Sequence, residues 1–156
     1  MADKADTGEK LIASNKKAYH DYFVLSKHEA GIALTGTEVK SLRDGRAQLK
    51  DAYVIFKNDE AWLFGAHVSP YSHGARENHE PERTRKLLLH RREIDKLMVQ
   101  VSEKGLSVVP LRLYFKGARV KCEIGVVKGK KLYDKRDTEK KREADREAAQ
   151  AMKTRR

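Results

Sequence analysis

A single cysteine, Cys122, occurs in the 156 residues, which excludes an internal disulfide and predicts a reducing compartment. No run of 18 apolar residues is present, so no helix is expected to span a membrane and no membrane partner is expected. The first 20 residues lack the apolar stretch of a signal peptide, and the expectation is a soluble, cytoplasmic chain that is not exported by that route. After Tyr133 there is no Leu, Ile, Val, Phe, Tyr or Trp. Such a segment buries too little apolar area to offset the entropy of ordering, so residues 128–156 should stay loose when free.

Catalytic constellations are missing too. Gly125-Val126-Val127-Lys128-Gly129-Lys130-Lys131 places three residues between its glycines where a phosphate loop has four, and Lys131 stands where the magnesium-binding Ser or Thr belongs. The six His residues form no i, i+4 pair around a Glu and meet no CxxC. His73, Glu77, His79 and Glu80 are neighbours in a polar loop, an arrangement that rarely gathers a metal. No GxSxG occurs, and Cys122 falls on the inward side of an alternating strand, as a small buried apolar residue. Neither an enzyme, nor a cofactor, nor a metal site is expected.

What the chain has is positive charge. Its 34 Lys/Arg against 23 Asp/Glu give a net charge of +11. Residues 128–156 hold 12 basic and 6 acidic groups, a net +6, and residues 1–127 hold 22 and 17, a net +5. A moderately basic body with a denser basic arm points to a polyanionic partner, nucleic acid before an anionic membrane.

Residues 1–14 are polar and expected to be mobile. Tyr19–Leu25 and Gly31–Gly36 are rich in β-branched and aromatic residues and read as two strands. Thr37 is placed to cap a short helix carrying Val39 and Leu42 inward, with Gly45 past its end. Ala52–Phe56 and Ala61–Val68 flank Lys57-Asn58-Asp59-Glu60 as an antiparallel hairpin. Residues 69–86 form a polar loop long enough to suggest binding. From about His90 to Val101 the apolar spacing is helical and stops near Gly105. Leu106–Phe115 and Arg119–Val127 make a second hairpin, with Val120, Cys122, Ile124 and Val126 facing one way and Arg119, Lys121 and Glu123 the other. Pro110 demotes its strand to an edge or marks a bulge. About six short strands with inserted helices argue for one small, mostly antiparallel barrel over 15–127, followed by the basic tail 128–156.

Three basic clusters carry stacking or apolar neighbours. Asn15, Lys16 and Lys17 precede His20 and Tyr22. Arg83, Arg85, Lys86, Arg91 and Arg92 surround Leu87–Leu89, and Arg119 and Lys121 lie on the polar face of the last strand. Lys and Arg neutralise phosphates, and exposed rings stack on unpaired bases.

Several segments together resemble one family: Asn15-Lys16-Lys17-Ala18, His20-Asp21-Tyr22, Glu29-Ala30-Gly31-Ile32-Ala33-Leu34, Gly36-Thr37-Glu38-Val39-Lys40-Ser41-Leu42-Arg43, Arg83-Thr84-Arg85-Lys86-Leu87-Leu88-Leu89, and Gly129-Lys130-Lys131 followed by Asp134-Lys135-Arg136. From about Leu11 onward the chain is similar to small protein B, the SsrA-binding proteins of bacteria. The resemblance implies an oligonucleotide-binding-type barrel of about six strands and about three helices. It implies binding to the tRNA-like domain of transfer-messenger RNA, with delivery to stalled ribosomes for trans-translation, alongside elongation factor Tu and GTP joined through the RNA. It also implies that the tail enters the vacant mRNA path and becomes helical there. Glu29, Leu88 and Lys121 match positions tied to RNA binding. Gly129, Asp134, Lys135 and Arg136 match tail positions tied to function on the ribosome, with Tyr133 where the family uses a ring suited to stacking, and Lys130 and Lys131 beside them.

Physical chemistry supports these roles unevenly. Lys121 on an exposed strand face can contact phosphate directly. Glu29 does not attract phosphate, leaving it to accept from a base or ribose donor, to buttress a neighbouring Arg, or to be a plain surface carboxylate. Leu88, in an apolar triplet, is either core or contact. Two other classes stay open: an RNA-processing enzyme, which would show convergent carboxylates or a metal cleft, and a ribosomal or single-strand-binding structural protein, which would take unstructured RNA equally well.

Overall fold

The computed structural model of the chain describes residues 8–72 and 78–154. Strand β1 (Glu9–Ser14) opens the fold and pairs antiparallel with β8 (Ser107–Lys116), from Glu9 opposite Lys116 to Ser14 opposite Arg112. The expected mobile segment therefore needs correction over 9–14. These residues are tied by a backbone ladder, and Ile12 and Ala13 pack on the core. Residues 1–7 lie outside the described ones.

Two expected strands at 19–25 and 31–36 are replaced by a helix and one long strand. Helix α1 (Lys16–Asp21) starts at Asn15, whose side chain accepts from the Ala18 N–H at 3.1 Å. It hands over to β2 (Tyr22–Ile32). Helix α2 (Gly36–Arg43) follows, capped by Thr35, two residues before the expected Thr37. The Glu38 side chain accepts from the Thr35 N–H at 2.8 Å, closing the first turn. Strands β4 (Tyr53–Lys57) and β5 (Glu60–Phe64) form the expected hairpin. Asn58 and Asp59 both take positive φ, 54° and 61°, a conformation short polar side chains tolerate better than most.

Strand β7 (Arg85–Leu88) emerges from the long polar loop. Helix α3 (Arg91–Lys104) runs as expected and ends at Gly105 in the left-handed region. Strand β9 (Arg119–Gly129) completes the second hairpin. Pro110 proves to sit at a bulge, between Pro110 and Arg112 in the β9 register, and its strand is not an edge, because β1 pairs with β8 over Arg112–Lys116.

The main sheet has the order β1-β8-β9-β2-β7-β5-β4, every pair antiparallel, and β4 turns back beside β8 so that the sheet curls into a barrel. A two-residue pair, β3 (Ala47–Gln48) with β6 (His67–Val68), adds a flap. The fold class expected from the sequence stands. Among the described residues there are nine strands, because β1, β7 and the flap are additional and the first two expected strands merge into β2. Val120, Cys122, Ile124 and Val126 all point into the core with Leu63, Leu87, Leu97 and Leu113. Burial pushes the Cys122 thiol up to about 12, so it is inert packing.

The tail leaves the barrel from the end of β9. Strand β9 continues to Gly129, and helix α4 spans Leu132–Thr154. Its base is held by α1 and the chain before it. Lys130 donates to Thr138 Oγ1 at 2.7 Å and to the Tyr19 carbonyl at 3.1 Å. His20 lies 2.6 Å from Glu139, and Lys135 lies 3.6 Å from Asp21. From Glu139 to Gln150 every side chain is exposed. Tethering at the base supplies the nucleus that a polar sequence of this kind lacks in isolation.

Candidate nucleic-acid interface

Strand register builds the site. Gly31 on β2 stands opposite Leu88 on β7 and opposite Lys121 on β9, and Lys121 in turn stands opposite Tyr114 on β8. Directly opposed residues project from the same face of a sheet, so Leu88, Lys121 and Tyr114 form one row on the outer face, Leu88 exposed, Lys121 half-buried and Tyr114 buried beneath its neighbours. Glycine at position 31 matters because a Cβ there would come within 3.1 Å of the Leu88 Cβ. Its absence lets Leu88 lean across the strand. Leu87 is buried while Leu88 is 53% exposed, so alternation on β7 assigns Leu88 to the surface and not to the core.

Two residues before Gly31 on the same face, Glu29 accepts a hydrogen bond from the Tyr114 hydroxyl and an ion pair from Lys116 at 3.3 Å. The Tyr114 bond, with Lys116 behind it, holds the Glu29 carboxyl below the usual range. Burial and the same carboxylate push the Tyr114 phenol up, so it stays a donor. The Arg112 guanidinium caps the Tyr114 ring at 4.2 Å and pairs with Glu123 and Glu9. Glu29 is therefore a fixed acceptor that positions Lys116 and a buried ring. Tyr114, Lys116 and Arg112 went unnoticed in the sequence because their partners are 85, 87 and 11 residues away.

Glu29, Gly31, Lys86, Leu88 and Lys121, with Arg91 at the start of α3, line one groove of about 550 Å³. The groove thus gathers Glu29, Leu88, Lys121 and Lys86 from three separate stretches of sequence. Lys86 also pairs with Glu60. Among the described residues Lys121 carries no ion pair. Of the groove's lysines and arginines it alone lacks a counter-ion, since Lys86 and Arg91 are paired, which leaves it free to meet a phosphate.

Other expected contacts fall elsewhere. Arg85 must be corrected: it is fully buried, with Nε 2.5 Å from Glu38 and Nη1 donating to the Ala66 carbonyl. An arginine whose donors are consumed inside the barrel cannot reach a phosphate. Arg83 is largely committed as well, with Nη2 2.6 Å from Glu38 and 3.2 Å from the Ala33 carbonyl. Burial alone would raise the Glu38 carboxyl, but the bonds from Arg83, the Thr35 N–H and Arg85 outweigh it and bring it down to about 2.

Asn15 is also corrected, being 5% exposed and donating to the Pro110 carbonyl at 2.8 Å while it caps α1. Lys17 pairs with Asp51 at 2.5 Å, and Lys16 and Arg119 are exposed away from the groove lining. His20 serves the tail, bridging Asp21 at 2.9 Å and Glu139. These two bonds, Asp21 first, raise its pKa above the ordinary histidine value. In the tail itself, Lys131 and Arg136 are exposed. Gly129 closes β9, and the side chains of Tyr133 and Asp134 fall outside the described ones. Of the loop residues weighed for a metal, His73 and Glu77 lie outside the described residues. His79 donates to the Val68 carbonyl and accepts from Thr37, both at 2.9 Å, which locks the loop base onto α2.

A curled antiparallel sheet with a groove of cations, an apolar side chain and a fixed acceptor on its outer face, extended by a basic helical arm, defines an RNA-binding barrel protein. Known proteins agree. The profile of the family described as SmpB protein matches residues 12–154. The chain is 57% identical over 145 residues to the SsrA-binding protein of Geobacter sulfurreducens, covering 93% of this chain and 95% of that one. It is 54% identical over 156 residues to the SsrA-binding protein of Syntrophobacter fumaroxidans, covering 99% and 97%. Its fold is similar to a chain of the solved structure "tmRNA-SmpB: a journey to the center of the bacterial ribosome", with a TM-score of 0.66 and 43% identity over 77% of this chain and 85% of that one. The chain belongs to the SmpB, or SsrA-binding, protein family.

Proposed function

We propose that this chain is a non-enzymatic adaptor that binds the tRNA-like domain of transfer-messenger RNA and carries it to stalled ribosomes for trans-translation in the cytoplasm. The observation that carries the assignment to the groove is the convergence of Glu29, Leu88 and Lys121 around the gap left by Gly31. Lys121 meets a phosphate, Leu88 packs on a ribose or base face, and Glu29 holds Lys116 and Tyr114 in place while offering an acceptor. The arm, from Gly129 through Lys130, Lys131, Tyr133, Asp134, Lys135 and Arg136, occupies the mRNA path of the ribosome. There, rRNA phosphates stabilise the exposed basic helix α4. Elongation factor Tu with GTP joins through the RNA.

Binding of the isolated tRNA-like domain to Lys121→Ala and Leu88→Ala tests the groove. Lys121→Ala is expected to weaken binding and to lower the salt slope by roughly 0.7–0.9, one lost phosphate contact. Leu88→Ala should weaken binding with the slope unchanged, since it removes contact area and no charge. Wild-type affinity and slope in both variants would move the site to another face.

A further inference from the structure

Strands β1 and β8 supply no lining to the groove, yet one side chain of β8 reaches its wall. Tyr114 sits on β8 and Glu29 on β2, with β9 between them, so two ladder spacings of about 10 Å in all separate their backbones. The phenol crosses that gap and donates to Glu29 Oε2. Although it belongs to the outer face of the sheet, Tyr114 is 1% exposed. The Arg112 guanidinium roofs its ring at 4.2 Å. Arg112 is itself pinned from both sides, by Glu9 of β1 at 3.3 Å and by Glu123 of β9 at 3.4 Å. Three strands thus fix one hydroxyl, and that hydroxyl is spent on one groove residue.

A half-exposed glutamate has several torsions to lose, and immobilising such a side chain on binding costs roughly twofold to tenfold in affinity. A carboxylate already gripped by a buried donor has lost that freedom before any RNA arrives. Lys116 adds a second restraint at 3.3 Å, but its side chain is 47% exposed and shared with water, whereas the phenol is sealed from it. The same seal keeps the Tyr114 hydroxyl from touching RNA itself, so its effect on RNA passes through the carboxylate. We infer that Tyr114 is a positioning residue for RNA binding, which holds the Glu29 carboxylate at one place in the groove, and that Arg112, anchored on Glu9 and Glu123, braces Tyr114. This role rests on the groove being the RNA site, as proposed above. It gives β1 and β8 a hold on a surface they do not line.

Binding of the tRNA-like domain to the full-length protein is measured for Tyr114→Phe, Glu29→Ala and the double variant. Phe keeps the ring under Arg112 and removes only the hydroxyl, and melting curves establish that each variant folds. Tyr114→Phe should weaken binding roughly twofold to tenfold, with the salt slope unchanged because no phosphate contact is lost. In the Glu29→Ala background the same substitution should have no further effect, since residues that act through one another are not additive. Arg112→Ala, at a partly exposed position, should weaken binding in the same way, again only while Glu29 is present. The Tyr114 bond is the first cause of the lowered Glu29 carboxyl, ahead of Lys116 and the charge of Lys121, so the gap between Tyr114→Phe and wild type should widen as pH falls from 7 toward 4.5. Equal losses from Tyr114→Phe with and without Glu29, or a gap that ignores pH, would overturn the positioning role, because the tyrosine would then act on the fold at large. Wild-type affinity in Tyr114→Phe beside a clear loss in Glu29→Ala would overturn it and leave the groove standing. Wild-type affinity in Glu29→Ala would remove both this role and the place of Glu29 in the RNA site.

Discussion

Replacing Glu38 by Gln should be among the most damaging single changes of near-constant volume in this protein, although Glu38 touches no groove residue directly. Its carboxylate has no exposed surface and accepts from the Thr35 N–H, from Arg83 through two nitrogens, and from Arg85. Gln keeps the shape but removes the charge and one acceptor, leaving the fully buried guanidinium of Arg85 without its counter-ion. Removing one partner of a buried pair costs about 3–5 kcal/mol. Titration leads to a similar figure. A carboxyl at about 2 in the folded protein against 4.5 when exposed is a shift of roughly 2.5 units, or about 3 kcal/mol. Because the folded value is the lower one, this stability is present in full above pH 4.5 and drains away as pH falls toward 2. Urea melts at pH 7 should therefore show Glu38→Gln less stable by about 3–5 kcal/mol, near 10 °C in Tm for a chain of this size. The wild-type advantage should shrink steadily between pH 4.5 and 2. A loss below about 1 kcal/mol at pH 7, or a gap that stays constant with pH, would refute the ion-pair account.

The arm offers two further tests. Changing Asp134, Lys135 and Arg136 together to Ala should leave binding of the tRNA-like domain intact and abolish rescue of ribosomes carrying truncated mRNA. Changing Lys140, Lys141 and Arg142 to Ala should cause a milder, salt-suppressible loss, and equal defects would reduce the arm to a nonspecific polycation. The protection factors of amides 135–139, which discount the intrinsic rise of exchange with pH, should fall as pH rises through the folded pKa of His20. That group is raised by Asp21 and Glu139, so its bridge to Glu139 is charged below that point and lost above it. His20→Ala should remove the pH dependence, and its persistence would place the sensor elsewhere.

The alternation of Val120, Cys122, Ile124 and Val126 made β9 readable from composition alone, and the spacing from His90 to Gly105 did the same for α3. Period and capping are local properties. Strand β2 was split in two because Ser26, Lys27, His28 and Glu29 look like a polar break, when their pairing with β9 is what keeps them extended. Strand β1 is a half-exposed edge with no pattern of its own and exists through its ladder with β8. Basic letters in a cluster do not announce which side of a strand they occupy. Arg85 and Lys86 are adjacent, yet the first is buried on a carboxylate 47 residues away and the second lines the groove. Asn15 misled in the same way, its amide being spent on backbone carbonyls of β8 and of the chain near Leu49. Glu29, Leu88 and Lys121 were legible only through resemblance, since their proximity depends on strand register.

Strand β9 is paired on both sides along most of its length and runs without interruption to Gly129, three residues before the arm's helix begins. Tension applied to the arm therefore pulls along the axis of a central strand, where the hydrogen bonds to β2 and β8 are loaded in shear and must fail together. The same pull on an edge strand, directed across the ladder, would open bonds one at a time. The few side-chain contacts between α1 and α4 would yield first and the barrel last. A moving ribosome that drags on the arm would thus draw it out like a cable from a fixed anchor, leaving the RNA-holding face undeformed.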